Sequence, residues 1–156
     1  MRVISEPLHQ SAFKFSVTRD PYRRAVSLYY YLIRPSRNEI SERSFYNFLS
    51  EVQKWRPSVG VYNHFGLMHA NPQVEWLIGE NGFVVDKLFD IDDLHDCLET
   101  IRQHTGQVIR EPAKRNVSAY DQKTRDLLLG SRDNRRMIED IYWRDFELLG
   151  YSTFDV

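Results

Sequence analysis

The expected fold is decided by one stretch of the chain, Lys14-Phe15-Ser16-Val17-Thr18-Arg19-Asp20-Pro21-Tyr22-Arg23-Arg24-Ala25-Val26-Ser27. Apolar Phe13, Phe15 and Val17 alternate with polar residues, and this period of two predicts a strand with one buried face. Asp20 suits the N-cap of a helix, and Pro21 suits the first helical position because its missing N–H would have no partner there. The stretch therefore predicts a strand, a turn and a helix.

The predicted helix has an apolar and a polar side. We expect it to end near Arg34, because Pro35 disfavours helical backbone in the residue before it. Helical spacing places six apolar residues on one face: Tyr22, Ala25, Val26, Tyr29, Leu32 and Ile33. A separate polar stripe consists of Arg23, Ser27, Tyr30 and Arg34.

Arg19 and Ser27 are candidate ligands for a phosphate group. Asp20 and Ser27 are seven residues apart, so they lie on the same side of the helix, separated by roughly 10 Å along its axis. An Arg19 side chain folded along that side could share one phosphate with the Ser27 hydroxyl, since a guanidinium stays charged and can offer two donors to phosphate oxygens. The alternative is a capped helix with a solvated polar face, in which Arg19 makes an ordinary ion pair.

The bulk composition predicts a single soluble domain. The chain of 156 residues is long enough for one sizeable core, and its formal net charge of −1 gives no argument for nucleic-acid or membrane binding. A lone cysteine, Cys97, excludes an internal disulfide and favours a reducing compartment. Neither a long apolar run nor a secretory signal is present, so we expect a cytoplasmic, bacterial-type protein without a membrane segment.

The rest of the sequence predicts mostly helices. A second strand is expected over residues 83–89, and loops over 56–72 and 114–120. Residues 73–78 are compatible with a short strand or a helical turn. Capped helices are expected over residues 44–54, 92–104, 121–129 and 135–149, the last ended by Gly150. Two strands with four or five helices indicate an α/β fold that is short of strands.

The opening stretch resembles the 3′-phosphate-binding motif of the carbohydrate-type (family 2) sulfotransferases, an Arg-Asp-Pro-aromatic-x-Arg-x-x-Ser run after an apolar strand. Residues 19–27 fill every position of that run. Further pieces are similar to family elements and follow in the same order: Ser44-Phe45-x-x-Phe48-Leu49, His69-x-x-Pro72-Gln73, Val85-Asp86 with Asp92-Asp93-Leu94, Asn116-x-Ser118 with Tyr120, and Tyr142-x-x-Asp145-Phe146-x-x-x-Gly150-Tyr151.

This resemblance covers residue 12 to the C-terminus and implies a P-loop-type nucleotide-binding sulfotransferase fold, with residues 1–156 forming one partial domain. It implies 3′-phosphoadenosine 5′-phosphosulfate or adenosine 3′,5′-bisphosphate as the bound nucleotide, no metal, and a hydroxyl acceptor, typically of a carbohydrate. By position, Arg19 and Ser27 would hold the 3′-phosphate. The loop Lys114-Arg115-Asn116-x-Ser118 would close over the nucleotide.

One family element has no counterpart in this sequence. Family members begin with a strand, loop and helix that hold the 5′-phosphosulfate through backbone N–H groups and one lysine. Residues 1–11 contain neither lysine nor glycine. His9 lies in the segment where the family carries its general base and is the candidate catalytic base.

The resemblance therefore predicts a sulfotransferase fold truncated at its N-terminus. A truncated sheet would expose an edge, which an oligomer could cover. If the chain is instead a fragment of a longer eukaryotic protein, the expected compartment is the Golgi lumen.

Other chemistry has less support in the sequence. His64 and His69 lie five residues apart without a partner cysteine, which argues against a zinc site. His69 could orient a substrate or be a structural histidine of its loop. The acidic residues between 86 and 93 could suggest a cation site, although capping of a helix explains them more simply.

The expected function is transfer of a sulfuryl group to a carbohydrate hydroxyl. One alternative is a non-catalytic module that binds adenosine 3′,5′-bisphosphate, and the missing lysine is the feature that separates the two. The other alternative is a helical interaction protein in which the opening stretch is only a capped helix.

Overall fold

The computed structural model describes residues 11–54, 68–109 and 120–154. Within these ranges the chain forms five α-helices: α1 (Pro21–Ile33), α2 (Glu42–Lys54), α3 (Leu94–Thr105), α4 (Gln122–Gly130) and α5 (Arg132–Leu149). It also forms four short strands: β1 (Phe15–Thr18), β2 (Ile78–Gly79), β3 (Gly82–Phe83) and β4 (Lys87–Asp90). The predicted mixed α/β class with few strands is confirmed. None of the helices in these ranges is long and apolar enough to cross a membrane.

The chain divides into two compact units. The helical unit consists of Arg19–Trp76 and Lys114–Val156, and the sheet unit of Met1–Thr18 and Leu77–Ala113. The helical unit contains α1, α2, α4 and α5, and the sheet unit contains the four strands and α3.

Helix α1 begins as the sequence predicts. The Asp20 carboxylate accepts a hydrogen bond from the Arg23 N–H at 2.8 Å, and Pro21 occupies the first turn. The helix ends where Arg34 adopts a left-handed conformation with φ of 50° and donates its N–H to the Tyr30 carbonyl. The buried face differs from the prediction at two positions, because Leu28 is buried whereas Ile33 is 53% exposed.

Helix α2 packs its aromatic face against the other helices of this unit. It begins at Glu42, two residues before the predicted start, because the Ser41 hydroxyl accepts the Ser44 N–H at 3.1 Å. Phe45 and Leu49, one turn apart, are fully buried, which agrees with the helical spacing of the sequence.

Helices α4 and α5 follow each other directly and complete the core. The Asp121 carboxylate caps α4 by accepting the Thr124 N–H, and Ser131 caps α5, which therefore starts at Arg132 rather than Arg135. Gly150 ends α5 with φ of 75°, as predicted. The common core contains buried residues of all four helices: Tyr22, Val26, Tyr29, Phe45, Leu49, Leu128, Ile138, Ile141 and Tyr142.

The sheet unit contains a two-stranded parallel sheet. Strands β1 and β4 pair in a register that aligns Phe15 with Lys87 and Val17 with Phe89. The predicted strand over residues 83–89 is wrong as one element: Gly82–Phe83 pairs antiparallel with Ile78–Gly79, and the parallel strand begins only at Lys87. The first strand begins at Phe15, two residues later than its alternating pattern suggests.

Helix α3 follows β4 through a 3-10 turn, Ile91–Asp93. The cap of that turn is Asp90, whose carboxylate accepts the Asp92 N–H at 2.8 Å, whereas Asp93 makes no side-chain capping bond to α3. Asp93 thus occupies the N-cap position of α3, within the predicted start of the helix over residues 92–104, but its side chain makes no capping bond. Gly106 ends α3 in a left-handed conformation with φ of 68°.

Candidate functional site

Arg19 is the first residue of the helical unit, and its backbone is held on both sides by one side chain. The Arg19 N–H donates to Gln73 Oε1 at 2.9 Å, and Gln73 Nε2 donates to the Arg19 carbonyl at 2.8 Å. The primary amide of Gln73 thus pairs with Arg19 as a neighbouring strand would. This contact fixes the point from which the Arg19 side chain departs.

Gln73 is held in turn by Asp145, a residue of α5. Asp145 Oδ2 accepts the Gln73 N–H at 2.8 Å, and Asp145 Oδ1 accepts the Val74 N–H at 3.0 Å. These N–H groups open the 3-10 turn Gln73–Trp76, so the carboxylate acts as its cap from a distant part of the chain. Asp145 Oδ2 also lies 3.4 Å from Gln73 Nε2.

Asp145 is fully buried, and its ionisation reflects two opposing causes. Burial raises the pKa of Asp145 above its ordinary value, because a low-dielectric environment penalises the charged form. The hydrogen bonds from Gln73 and Val74 and the positive charge of Arg24 oppose that rise.

Arg24, the second arginine of the opening motif, has a structural role. Its Nη2 donates to the carbonyls of His69 at 2.8 Å and Asn71 at 2.6 Å, and its guanidinium lies 5.2 Å from the centre of the Tyr142 ring. Arg24 therefore ties the segment that precedes Gln73 to helix α1.

Arg19 and Arg24 each have one buried guanidinium donor without a hydrogen-bond partner among the described residues, Nε in Arg19 and Nη1 in Arg24. The two arginines differ in that Arg24 also binds two carbonyls through Nη2. A guanidinium donor that is shielded from water without an acceptor loses free energy, and an anionic ligand would supply the acceptor. The Arg19 backbone is thus fully bonded, while its side chain retains a donor for a ligand.

Asp20 and Ser27 lie on the same helix in the expected positions. The Asp20 carboxylate is a helix cap, which keeps it on the N-terminal N–H groups of α1. Ser27 is half-buried in the second turn of α1. Arg19 directly precedes the cap Asp20, and Ser27 lies on α1, so both predicted phosphate ligands belong to the helical unit.

Tyr22, the aromatic position of the motif, supports the fold. Its ring packs edge-on against Phe146 and Phe154, with ring centres 5.0 and 4.7 Å apart. Its hydroxyl donates to the Glu139 carboxylate and accepts the Phe154 N–H at 3.0 Å. Burial, followed by the bond to Glu139, raises the pKa of Tyr22 well above its ordinary value, so the phenol stays neutral.

A cleft of about 660 Å³ opens beside the start of α1. Its lining contains both positive and negative side chains, since Arg23 and Arg125 lie there together with Asp20 and Asp126. Phe154 forms an aromatic part of its wall. Neither Arg19 nor Ser27 lines this cleft, so it lies beside the opening motif and not at the two predicted phosphate ligands.

His69 uses its backbone for a contact within the fold. Its carbonyl accepts from Arg24, and its exposed ring lies edge-on to Tyr31 with centres 5.8 Å apart. Its predicted substrate role stays a prediction. The other predicted residues lie outside the described residues: His9, His64, Lys114, Arg115, Asn116 and Ser118.

The structure adds residues to which the sequence assigned no role. Gln73 and Asp145 both lie in segments whose sequence resembles motifs of the carbohydrate-type sulfotransferases. This resemblance was the signal that could have singled them out. Their contact with Arg19 depends on tertiary structure, since the Gln73–Asp145 bond spans 72 residues. In the described ranges, no group of three or more His, Cys, Asp or Glu side chains could hold a metal ion.

The chain matches no family model, no curated protein and no solved structure.

Proposed function

We propose that this chain binds the 3′-phosphate of an adenosine nucleotide through Arg19 and Ser27, with 3′-phosphoadenosine 5′-phosphosulfate or adenosine 3′,5′-bisphosphate as the ligand. The observation that carries the proposal is the state of Arg19: both backbone groups are bonded to Gln73, while its buried Nε has no partner among the described residues. A dianionic phosphate matches such a donor because guanidinium–phosphate hydrogen bonds are charge-assisted.

In the proposed reaction, the sulfuryl group of 3′-phosphoadenosine 5′-phosphosulfate is transferred to a hydroxyl group of an acceptor. A carbohydrate is our proposed acceptor. The acceptor oxygen forms a bond to sulfur while the bond between sulfur and the 5′-phosphate oxygen breaks. The acceptor proton passes to a base, and adenosine 3′,5′-bisphosphate leaves with the bonding electrons. Holding the 3′-phosphate would contribute by orienting the donor for this in-line displacement.

The first test is thermal stabilisation by adenosine 3′,5′-bisphosphate, compared with adenosine 5′-monophosphate, which lacks the 3′-phosphate. At 100 times its dissociation constant the bisphosphate should stabilise the protein by roughly 2.7 kcal/mol. In Arg19→Ala the loss of one charge-assisted contact should weaken binding about 10- to 100-fold, leaving about 1.4 kcal/mol or less at the same concentration. Arg136→Ala, which truncates an exposed arginine of α5, is the matched control and should behave as the wild type.

Two results would refute the proposal. One is equal stabilisation by the two nucleotides, and the other is an Arg19→Ala protein that still responds fully to the bisphosphate. If binding is confirmed, incubation with sulfur-labelled donor and a carbohydrate acceptor separates the transferase from the non-catalytic binding module, since the latter leaves the label on the nucleotide.

A further inference from the structure

We infer that Gln73 and Asp145 are positioning residues for Arg19, so that the affinity for a nucleotide 3′-phosphate is set by a hydrogen-bonded relay that begins in helix α5. This inference rests on the function proposed above and extends it to two residues that do not themselves touch the phosphate. Its basis is a continuous set of contacts within the helical unit, in which Asp145 holds Gln73 and Gln73 holds Arg19.

The first step of the relay is the Gln73–Arg19 contact. An arginine side chain has several rotatable bonds, and the direction of its guanidinium depends on the φ and ψ angles of its own residue. Arg19 lies between β1 and α1, where no helical or strand hydrogen bond of its own fixes those angles. The two bonds from the Gln73 amide, at 2.9 and 2.8 Å, supply that restraint.

The second step is the Asp145–Gln73 contact. A glutamine amide is a useful clamp only if its own backbone is fixed, and Asp145 fixes it through the Gln73 and Val74 N–H groups. The 3.4 Å approach of Asp145 Oδ2 to Gln73 Nε2 also favours the amide orientation that directs Oε1 towards the Arg19 N–H. Asp145 is fully buried, so water does not compete for these donors.

Gln73→Met tests the relay, because methionine keeps the length of the side chain and removes both hydrogen-bonding groups. We expect this variant to bind adenosine 3′,5′-bisphosphate at least about fivefold more weakly than the wild type, while its affinity for adenosine 5′-monophosphate changes less than twofold. Gln103→Met is the control for the substitution itself, since Gln103 is exposed and bonds only to Glu99 of the same helix among the described residues.

The decisive measurement is a double-mutant cycle between Gln73→Met and Arg19→Ala, read by calorimetric titration with the bisphosphate. If Gln73 acts through Arg19, Gln73→Met should have less than a twofold effect in the Arg19→Ala protein. Equal effects in both backgrounds would overturn the positioning role. If Arg19→Ala itself binds the bisphosphate as the wild type does, the proposed phosphate site fails first, and the two failures are thereby distinguished.

A measurement on the unmodified protein covers the case in which Gln73→Met does not fold. The Arg19 N–H, held by Gln73, should exchange with deuterium at least about 100-fold more slowly than in an unstructured chain. Unprotected exchange at Arg19 would show that the clamp does not form in solution and would overturn the inference.

Discussion

The helical unit and the sheet unit differ in how completely they bury their aromatic side chains. In the helical unit, Tyr29, Phe45 and Tyr142 are at most 1% exposed. In the sheet unit, Phe15 and Phe83 are 39% and 44% exposed. Each unit also has exceptions, because Phe89 of the sheet unit is buried whereas Tyr31 and Trp143 lie at the surface of the helical unit. The contrast therefore concerns the packed aromatic core that the four helices of the helical unit share.

The difference follows from the number of elements that cover each surface. Parallel sheets are normally covered on both faces, and in the described part of the chain β1 and β4 pair only with each other. Elements with few buried contacts open at lower cost in free energy. The proposed phosphate ligands Arg19 and Ser27, and the residues Gln73 and Asp145 that hold Arg19, all belong to the helical unit.

The largest expected effect is the contrast between two phenylalanine truncations. Phe45→Ala should cost about 3–5 kcal/mol of unfolding free energy, because it opens a cavity beside Tyr29 and Phe48. Phe15→Ala should cost only about 1 kcal/mol, since solvent already reaches that ring. Urea unfolding followed by circular dichroism measures both, and equal losses would show that the two units are packed equally well.

The next effect concerns the polar interior of the helical unit. Asp145→Ala should cost about 2–4 kcal/mol, because the buried N–H of Val74 and the partly buried N–H of Gln73 lose their acceptor. Glu147→Ala, an exposed acidic residue on the same helix, is the control and should stay within about 0.5 kcal/mol of the wild type. The same denaturation experiment applies, and a similar small cost for both variants would mean that Asp145 is not a structural cap.

These contrasts also show which parts of the fold could be predicted from sequence. The start of α1 is correct because a cap and a first-turn proline act on neighbouring residues, Asp20 on Arg23. The strand expected over residues 83–89 is wrong because apolar alternation does not reveal where pairing changes partner. Residues 82–83 pair with a preceding strand, and 87–90 pair with β1.

In the candidate site, too, some residues could be predicted from the local sequence, whereas others depend on tertiary contacts. Arg19 was predicted from a contiguous motif, and Ser27 from helical spacing along the same helix. The use of Arg24 for the carbonyls of His69 and Asn71 depends on contacts between distant segments, as does the Asp145–Gln73 relay. Helical period and capping rules carry no information on such contacts, so only the folded chain separates the proposed ligand Arg19 from the structural Arg24.

The smallest expected effect concerns the free energy of unfolding, whose dependence on pH should have opposite signs for one acidic residue in each unit. Asp145 of the helical unit has a pKa raised by burial, whereas Glu99 of the exposed α3 surface has a pKa lowered to about 2, first by its hydrogen bond to Arg102 and then by that to Gln103. The free energy of unfolding rises with pH wherever the unfolded state binds more protons than the folded state, and it falls where the folded state binds more.

The folded state binds the proton of Asp145 more tightly than the unfolded state does. The contribution of Asp145 to the free energy of unfolding is therefore full below the unfolded pKa of about 3.9, and it declines as pH rises through the folded pKa. For Glu99 the contribution is present above the unfolded pKa of about 4.3 and is lost as pH falls towards 2. The stability difference between wild type and Asp145→Asn should therefore decrease from pH 4 upwards, and that between wild type and Glu99→Gln should decrease from pH 4 downwards.

Urea unfolding between about pH 2.5 and 6.5 measures both slopes, and salt separates their origins. The Glu99 contribution is a surface interaction and should largely vanish in about 1 M salt, where the Debye length is about 3 Å. The Asp145 contribution arises from burial and should persist. An Asp145 difference that increases with pH would mean that the two N–H donors and Arg24 outweigh burial, and the helical unit would then be held together by its buried carboxylate in the charged form.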